Sequence, residues 1–171
     1  MNISEFCGKL DSHLAARTPG AERYEMAIAA LRQVFNLQPD EIAVLAVDRE
    51  NDVLRFKWPV KLQKSGTIPI SSRESLAART FHENKAVANN RFADIYHASI
   101  FEQIKLAPEA TERPQPIQKI LSAPLPGGDG APTGVIQLSR KGADSNTAGP
   151  NFTREDLAAL IEISKVLGKY L

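Results

Sequence analysis

The residues best suited to chemistry crowd into one stretch: Phe81, Asn89, Asn90, Arg91, Phe92, Tyr96, His97 and Phe101. Aromatic faces beside short polar side chains are what a small-molecule pocket is built from, with the rings supplying area and the amides and guanidinium reading polarity. Arg91 could meet an anion through two parallel hydrogen bonds. The competing role for each ring is core packing, so the case rests on their clustering. Cys7 is the only cysteine, which excludes an internal disulfide and any multi-cysteine zinc site. It lies on the apolar stripe of a helical pattern with no flanking group to lower its pKa, and is read as a packed thiol. Trp58 is a weak stacking candidate at a strand end. No G-x-S-x-G, H-E-x-x-H or G-x-x-x-x-G-K string occurs, and Gly127, Gly128 and Gly130 fall in a hairpin connection.

The bulk properties narrow the field. The chain has 171 residues, enough for one domain that buries roughly 70% of its unfolded surface. Lys plus Arg number 21 against 20 for Asp plus Glu, so no net field would draw the protein to nucleic acid or an anionic membrane. No apolar run approaches the roughly 20 residues that span a bilayer, and the N-terminus lacks the basic start of a signal peptide. A soluble, cytoplasmic protein is expected, with no nucleic-acid or membrane partner.

The elements that must position these residues can be read in order. Ile3, Phe6, Cys7, Leu10 and Leu14 share one helical face, and Thr18-Pro19-Gly20 ends that helix. This gives an N-terminal amphipathic helix over 1–20 and a domain over 21–171, together one globular unit. A second helix runs from about Ala21 to Phe35. IAVLAVD and VLRFKWP form a hairpin, with Leu54, Phe56 and Trp58 on one face of its second strand. Ser71-Ser72-Arg73-Glu74 offers a capping box for a short helix that buries Leu76, Ala77, Thr80 and Phe81, and Asn84 stops it in the left-handed conformation. KAVANN is a short strand, and Asp94 is expected to cap a helix through Ile104. APEATERPQP reads as a mobile excursion.

The organising stretch is Ile117 to Lys141, two apolar runs around a Gly/Pro loop. In the first run Leu121, Ala123 and Leu125 point one way and Ile120, Ser122 and Pro124 the other; in the second, Gly134, Ile136 and Leu138 oppose Val135, Gln137 and Ser139. Neither face is plainly polar, so layers must cover both. Thr153, Asp156, Phe152 and Leu157 are spaced for a capped and stapled final helix, whose apolar arc is too wide for the sheet alone to cover. The first helix and a second copy of the chain are expected to cover the rest.

RESLAARTFHENKAVANNRFAD, ILSAPL…GVIQLSRK and FTREDLAALIEISKVLGKYL, in this order and spacing, resemble a GAF domain over residues 21 to 171. The resemblance implies an α/β (α+β) fold of three layers: a largely antiparallel six-stranded sheet with helices on both faces, terminal helices that commonly dimerise, and a pocket beneath the short helices. Cyclic-nucleotide-binding members carry an Asn-Lys-Phe-Asp-Glu signature; Lys141, Phe152 and Asp156 match it, whereas Arg140 and Leu157 do not. Bilin-binding members use a cysteine beside a histidine, and no cysteine accompanies His97. Haem through His97 would need an open apolar pocket. Reductases of free methionine sulfoxide need two pocket cysteines, which one Cys in the first helix does not provide. The expectation is a non-enzymatic sensor or regulatory module, homodimeric through its terminal helices, with the eight clustered residues above as ligand-binding candidates and no cofactor or metal assigned. The alternative is a ligand-free dimerisation or protein-interaction module whose pocket is filled by its own side chains.

Overall fold

A computed structural model describes residues 2–64, 66–95 and 115–171. The elements are helices α1 (Ile3–Ala15), α2 (Ala21–Phe35), α3 (Leu76–Glu83) and α4 (Arg154–Leu167), and strands β1 (Ile42–Asp48), β2 (Val53–Trp58), β3 (Thr67–Pro69), β4 (Val87–Asn89), β5 (Ile117–Pro126) and β6 (Pro132–Lys141). The strands form one sheet in the order β3-β2-β1-β6-β5-β4, every neighbouring pair antiparallel. Its two edges are the three-residue strands β3 and β4, too short to template further pairing.

Helix ends are set by local chemistry. Asn2 Oδ1 accepts the Ser4 and Glu5 backbone N–H groups at the start of α1, satisfying two of its free donors. Asn36 and Asn84 close α2 and α3 with φ of 50° and 48°, a region where Asn is tolerated better than other side chains. At α4 the box is closed in both directions: Asp156 N–H donates to Thr153 Oγ1 at 3.1 Å, and Thr153 N–H to Asp156 Oδ2 at 2.8 Å. The cap of α3 differs from the expected one. Ser75, not Ser71, is its N-cap, accepting from Ala78 N–H, while Ser72 Oγ accepts from Ser75 N–H one turn earlier. With three serines in this stretch, the one beside the first buried apolar residue, Leu76, takes the cap.

Alternation along the central strands divides the interior in two. On one face Ile42, Leu121, Ile136 and Leu138 pack with Leu10 and Leu14 of α1, Ile28 and Leu31 of α2, and Leu160, Ile163 and Leu167 of α4. On the other Leu45, Leu54, Phe56, Ile120 and Val135 pack with Leu76, Ala77 and Phe81 of α3 and with Phe92. The fold is therefore three layers with helices on both faces of the sheet. Trp58 departs from its expected face. The register runs Val44↔Trp58 then Leu45↔Phe56, leaving Lys57 as the extra residue of a bulge. Trp58 is thereby turned into the α1/α2/α4 core, where its Nε1–H donates to Pro39 O at 3.0 Å.

Asp94 also departs from its expected role. It ends a single 3-10 turn over Phe92–Asp94, and Ile95 is extended, so no helix starts directly from it. The helix expected through Ile104 and the excursion expected at 107–116 fall mostly in 96–114, outside the described residues.

The β1–β6 pairing depends on Gly134. A Cβ there would run into the Leu45 carbonyl oxygen on the neighbouring strand, a rigid backbone atom. Gly134→Ala is expected to destabilise the protein by about 1–3 kcal/mol, the range for overpacking a close-packed interior, read as a lowered urea midpoint at unchanged m-value.

Candidate functional site

The α3 side of the sheet is mostly apolar, and beneath α3 it carries one connected group of polar side chains. Ser122 on β5 and Gln137 on β6 lie directly opposite each other in register, and alternation turns both toward α3. Thr80, one turn into α3, comes down onto them: Thr80 Oγ1 and Ser122 Oγ are 2.7 Å apart, and Gln137 Nε2–H donates to Ser122 Oγ at 3.2 Å. All three are buried, with 2%, 0% and 7% of their surface exposed. Ile120, Val135 and Phe81 belong to the apolar core on the same side of the sheet.

The three side chains can satisfy one another. Ser122 Oγ lies within hydrogen-bond reach of both Thr80 Oγ1 and the Gln137 carboxamide. The buried side-chain atoms without a partner among the described residues, Arg140 Nε and Ser164 Oγ, lie outside this group.

The expected ligand-binding residues are distributed as follows. Phe81 and Phe92 are buried in the α3-side core. Asn89 Oδ1 accepts from Arg91 N–H at 2.8 Å. Asn90 is engaged in the frame: its Nδ2–H donates to Phe152 O at 2.9 Å and its Oδ1 accepts Phe152 N–H at 2.8 Å, fastening the exit of β4 to the start of α4. Arg91 is exposed and pairs with Asp94 at 2.8 Å. Tyr96, His97 and Phe101 lie outside the described residues. Thr80, Ser122 and Gln137 were not singled out by sequence motifs. Their signal is two polar residues at facing positions of apolar strands.

The other layer holds the remaining candidates. Cys7 packs against the α1/α2/α4 core, across the sheet from α3. Burial raises its pKa and the nearby Glu162 carboxylate adds to the effect, so less thiolate is present than at an ordinary cysteine. Arg140 lies over the Phe152 ring at 4.8 Å and donates to Phe35 O, the last carbonyl of α2. Lys119, directly across from Arg140, is 3% exposed and donates to Gly149 O. Among the described residues no group of histidines, cysteines and carboxylates is arranged to hold a metal ion.

The whole architecture can now be compared with known proteins. It aligns with the GAF domain of a phosphoenolpyruvate-protein phosphotransferase from Acinetobacter at a TM-score of 0.71 and 9% identity, covering 97% of this chain and 90% of that one. The chain has the GAF fold. The corresponding GAF domain from Coxiella burnetii aligns at a TM-score of 0.71 and 12% identity, over 98% and 91% of the two chains. The free methionine-R-sulfoxide reductase of Neisseria meningitidis, solved with its substrate, aligns at 0.67 and 18% identity over 97% and 86%. No protein-family model and no curated protein matches the sequence. Of the residues matching the cyclic-nucleotide signature, Lys141 Nζ lies 3.7 Å from Asp40, Phe152 is in the α1/α2/α4 core, and Asp156 closes the α4 cap.

The bonding pattern of the polar group makes a graded prediction. Ser122→Ala alone strands Thr80 and Gln137 and is expected to lower stability by about 1–3 kcal/mol, whereas Thr80→Val, Ser122→Ala and Gln137→Leu combined are expected to be near neutral or stabilising. Equilibrium denaturation of the single and triple variants, each free of ligand, checks the sign.

Proposed function

We propose that this protein is a cytoplasmic, non-enzymatic sensor or regulatory module of the GAF type, whose small-molecule ligand binds on the α3 side of the sheet. The observation that carries the reading is the buried Thr80–Ser122–Gln137 group, a connected polar cluster on a mostly apolar face. Apolar residues of the same shape would serve stability about as well, and a bound polar molecule gives a reason to keep polar ones. Phe81, Phe92, Asn89 and Arg91 would border the site, the rings as apolar wall and the polar pair at its rim. The Neisseria meningitidis protein, with its substrate, lends the idea that this fold holds a small polar molecule. The reductase chemistry itself is not proposed, because the thiol of Cys7 lies in the opposite layer.

The test is binding mapped to a face. A thermal-shift panel of amino acids, 2-oxo acids, cyclic nucleotides and tetrapyrroles is expected to give a binder that, at about a hundred times its Kd, adds about 2.7 kcal/mol and raises Tm by a few degrees. Amide shifts should then move at Thr80, Ser122 and Gln137. A specific observation also favours the alternative of a ligand-free interaction module: Phe81 and Phe92 already fill part of the α3-side core. No shift with any molecule of the panel would favour that alternative and make the terminal helices the next target.

Output would pass through the terminal helices in a homodimer. Ile161 on α4 is 36% exposed and lines a surface groove of about 540 Å³ together with Ile3, Val34, Ala158 and Ala159, and with the carboxylates of Glu155, Asp156 and Glu162. A dimer in light scattering that becomes monomeric in Ile161→Glu is the expected result; a monomeric wild type would remove the dimer from the reading.

A further inference from the structure

The chain carries almost no net charge, yet its charges are unevenly placed. We propose that the basic edge of the sheet, formed by β2, the 3-10 turn Val60–Leu62 and β3, is a docking surface for an acidic segment of a partner protein, with Val60 as its apolar contact.

From Val53 to Arg73 the sequence holds Arg55, Lys57, Lys61, Lys64 and Arg73 and no aspartate or glutamate, although over the whole chain Lys plus Arg and Asp plus Glu are nearly equal, 21 against 20. Lys57, Lys61, Lys64 and Arg73 are exposed, and the Arg55 side chain keeps 41% of its surface. Among them Val60 is 59% exposed, more than any other large apolar side chain of the described residues. The turn that carries it is braced against β2: Gln63 Nε2–H donates to Lys57 O at 2.7 Å, and Gly66 N–H donates to Leu62 O at 2.8 Å. Cations on a braced frame lose less freedom on binding than the same cations on a loose loop.

Beside this turn, β1 and β2 leave a hollow of about 430 Å³ bordered by Arg49, Arg55, Lys57 and Asp48. Asp48 is already engaged, accepting Arg55 Nε–H at 2.6 Å, Asn51 Nδ2–H at 2.8 Å and Asn51 N–H at 3.2 Å. Glu50 and Asp52, the other acids of this hairpin, do not line the hollow. The bond to Asp48 orients the Arg55 guanidinium and leaves its terminal N–H groups, with Arg49 and Lys57, to meet an incoming carboxylate.

The same features choose among anionic partners. Binding a nucleic-acid strand by stacking needs exposed rings, and the aromatics of this edge, Phe56 and Trp58, are turned into the two cores. Lying in a bilayer surface needs an amphipathic helix with a broad apolar face, which one valine on a single turn does not supply. An acidic chain segment needs what is present: spaced cations, a concave seat and one apolar contact to fix its register.

The experiment titrates a peptide of glutamates interrupted by one leucine into the ¹⁵N-labelled full chain. The expected result is saturable binding that weakens as salt is raised, with amide shifts at Arg55, Lys57 and Val60. Affinity should fall severalfold in Lys57→Glu, in Lys64→Glu and in Val60→Ser. It should hold in Lys85→Glu, an equal change of charge at an exposed position just before β4, on the opposite edge of the sheet. If Lys57→Glu loses its native spectrum, Lys64→Glu, in the exposed turn, carries the comparison. No binding, shifts located elsewhere, or losses in Lys85→Glu equal to those in the edge variants overturn the proposal. Tighter binding of phosphatidylserine vesicles or of a single-stranded oligonucleotide than of the peptide overturns it as well.

Discussion

The β5–β6 ladder is the constraint on which the rest of the structure depends. Nine residue pairs in register fix which side chains face α1, α2 and α4 and which face α3, and a slip of one residue would exchange the two interiors. One set, Leu121, Ala123, Leu125, Ile136 and Leu138, is wholly apolar and supports three helices. The other set mixes Ile120 and Val135 with Ser122, Gln137 and Ser139, and supports one short helix. The two faces thus differ in kind. Apolar area on the first gives the larger share of stability, so the second can depart from ideal packing without unfolding the protein.

Ser139 shows what a polar residue on this strand does when its role is structural. Its Oγ donates to Glu41 O at 3.1 Å, and Glu41 in turn accepts Lys141 N–H at 2.9 Å, so the turn before β1 is bound to the end of β6. Arg140 likewise serves the last carbonyl of α2, where a cation opposes the negative end of the helix. Gln118 donates to Gly142 O. These side chains reach the backbone of a neighbouring segment and hold it. Thr80, Ser122 and Gln137 reach one another's side chains instead, and so join α3 to β5 and β6.

Much of the framework was legible in the sequence because it is written in local chemistry. Thr153, Asp156, Phe152 and Leu157 act within one turn of each other, and Asn36 and Asn84 need only their own φ. The faces of β5 and β6 followed from a period of two. What was not legible depended on the partner strand. Lys57 becomes the extra residue of a bulge only because of how β2 meets β1, and that turns Trp58 to the other core. Among Ser71, Ser72 and Ser75 the sequence gives no rule for which caps α3; burial of Leu76 decides it. The aromatic cluster drew attention to one segment of the chain, yet Phe81 and Phe92 are buried in the core and Asn90 is tied to Phe152. The polar group joins α3, β5 and β6 across more than forty residues of sequence, where no spacing rule reaches.

The position of the group within the sheet bears on how occupancy could be felt elsewhere. Ser122 and Gln137 alternate with Leu121, Ala123, Ile136 and Leu138, so the same backbone that carries the polar pair on one face carries the α4 contacts on the other. A shift of that backbone is resisted at two points. Gly134 lies against the Leu45 carbonyl, and at Gly168, just past α4, an added Cβ would meet the Pro126 carbonyl oxygen at the end of β5. Close-packed contacts of this kind transmit small displacements because they leave no slack. The end of α4 therefore follows the end of β5, and α1 follows α4 through the Lys169–Asp11 pair at 3.0 Å. Only a molecule that contacts the two arrangements differently can supply the energy for any such shift.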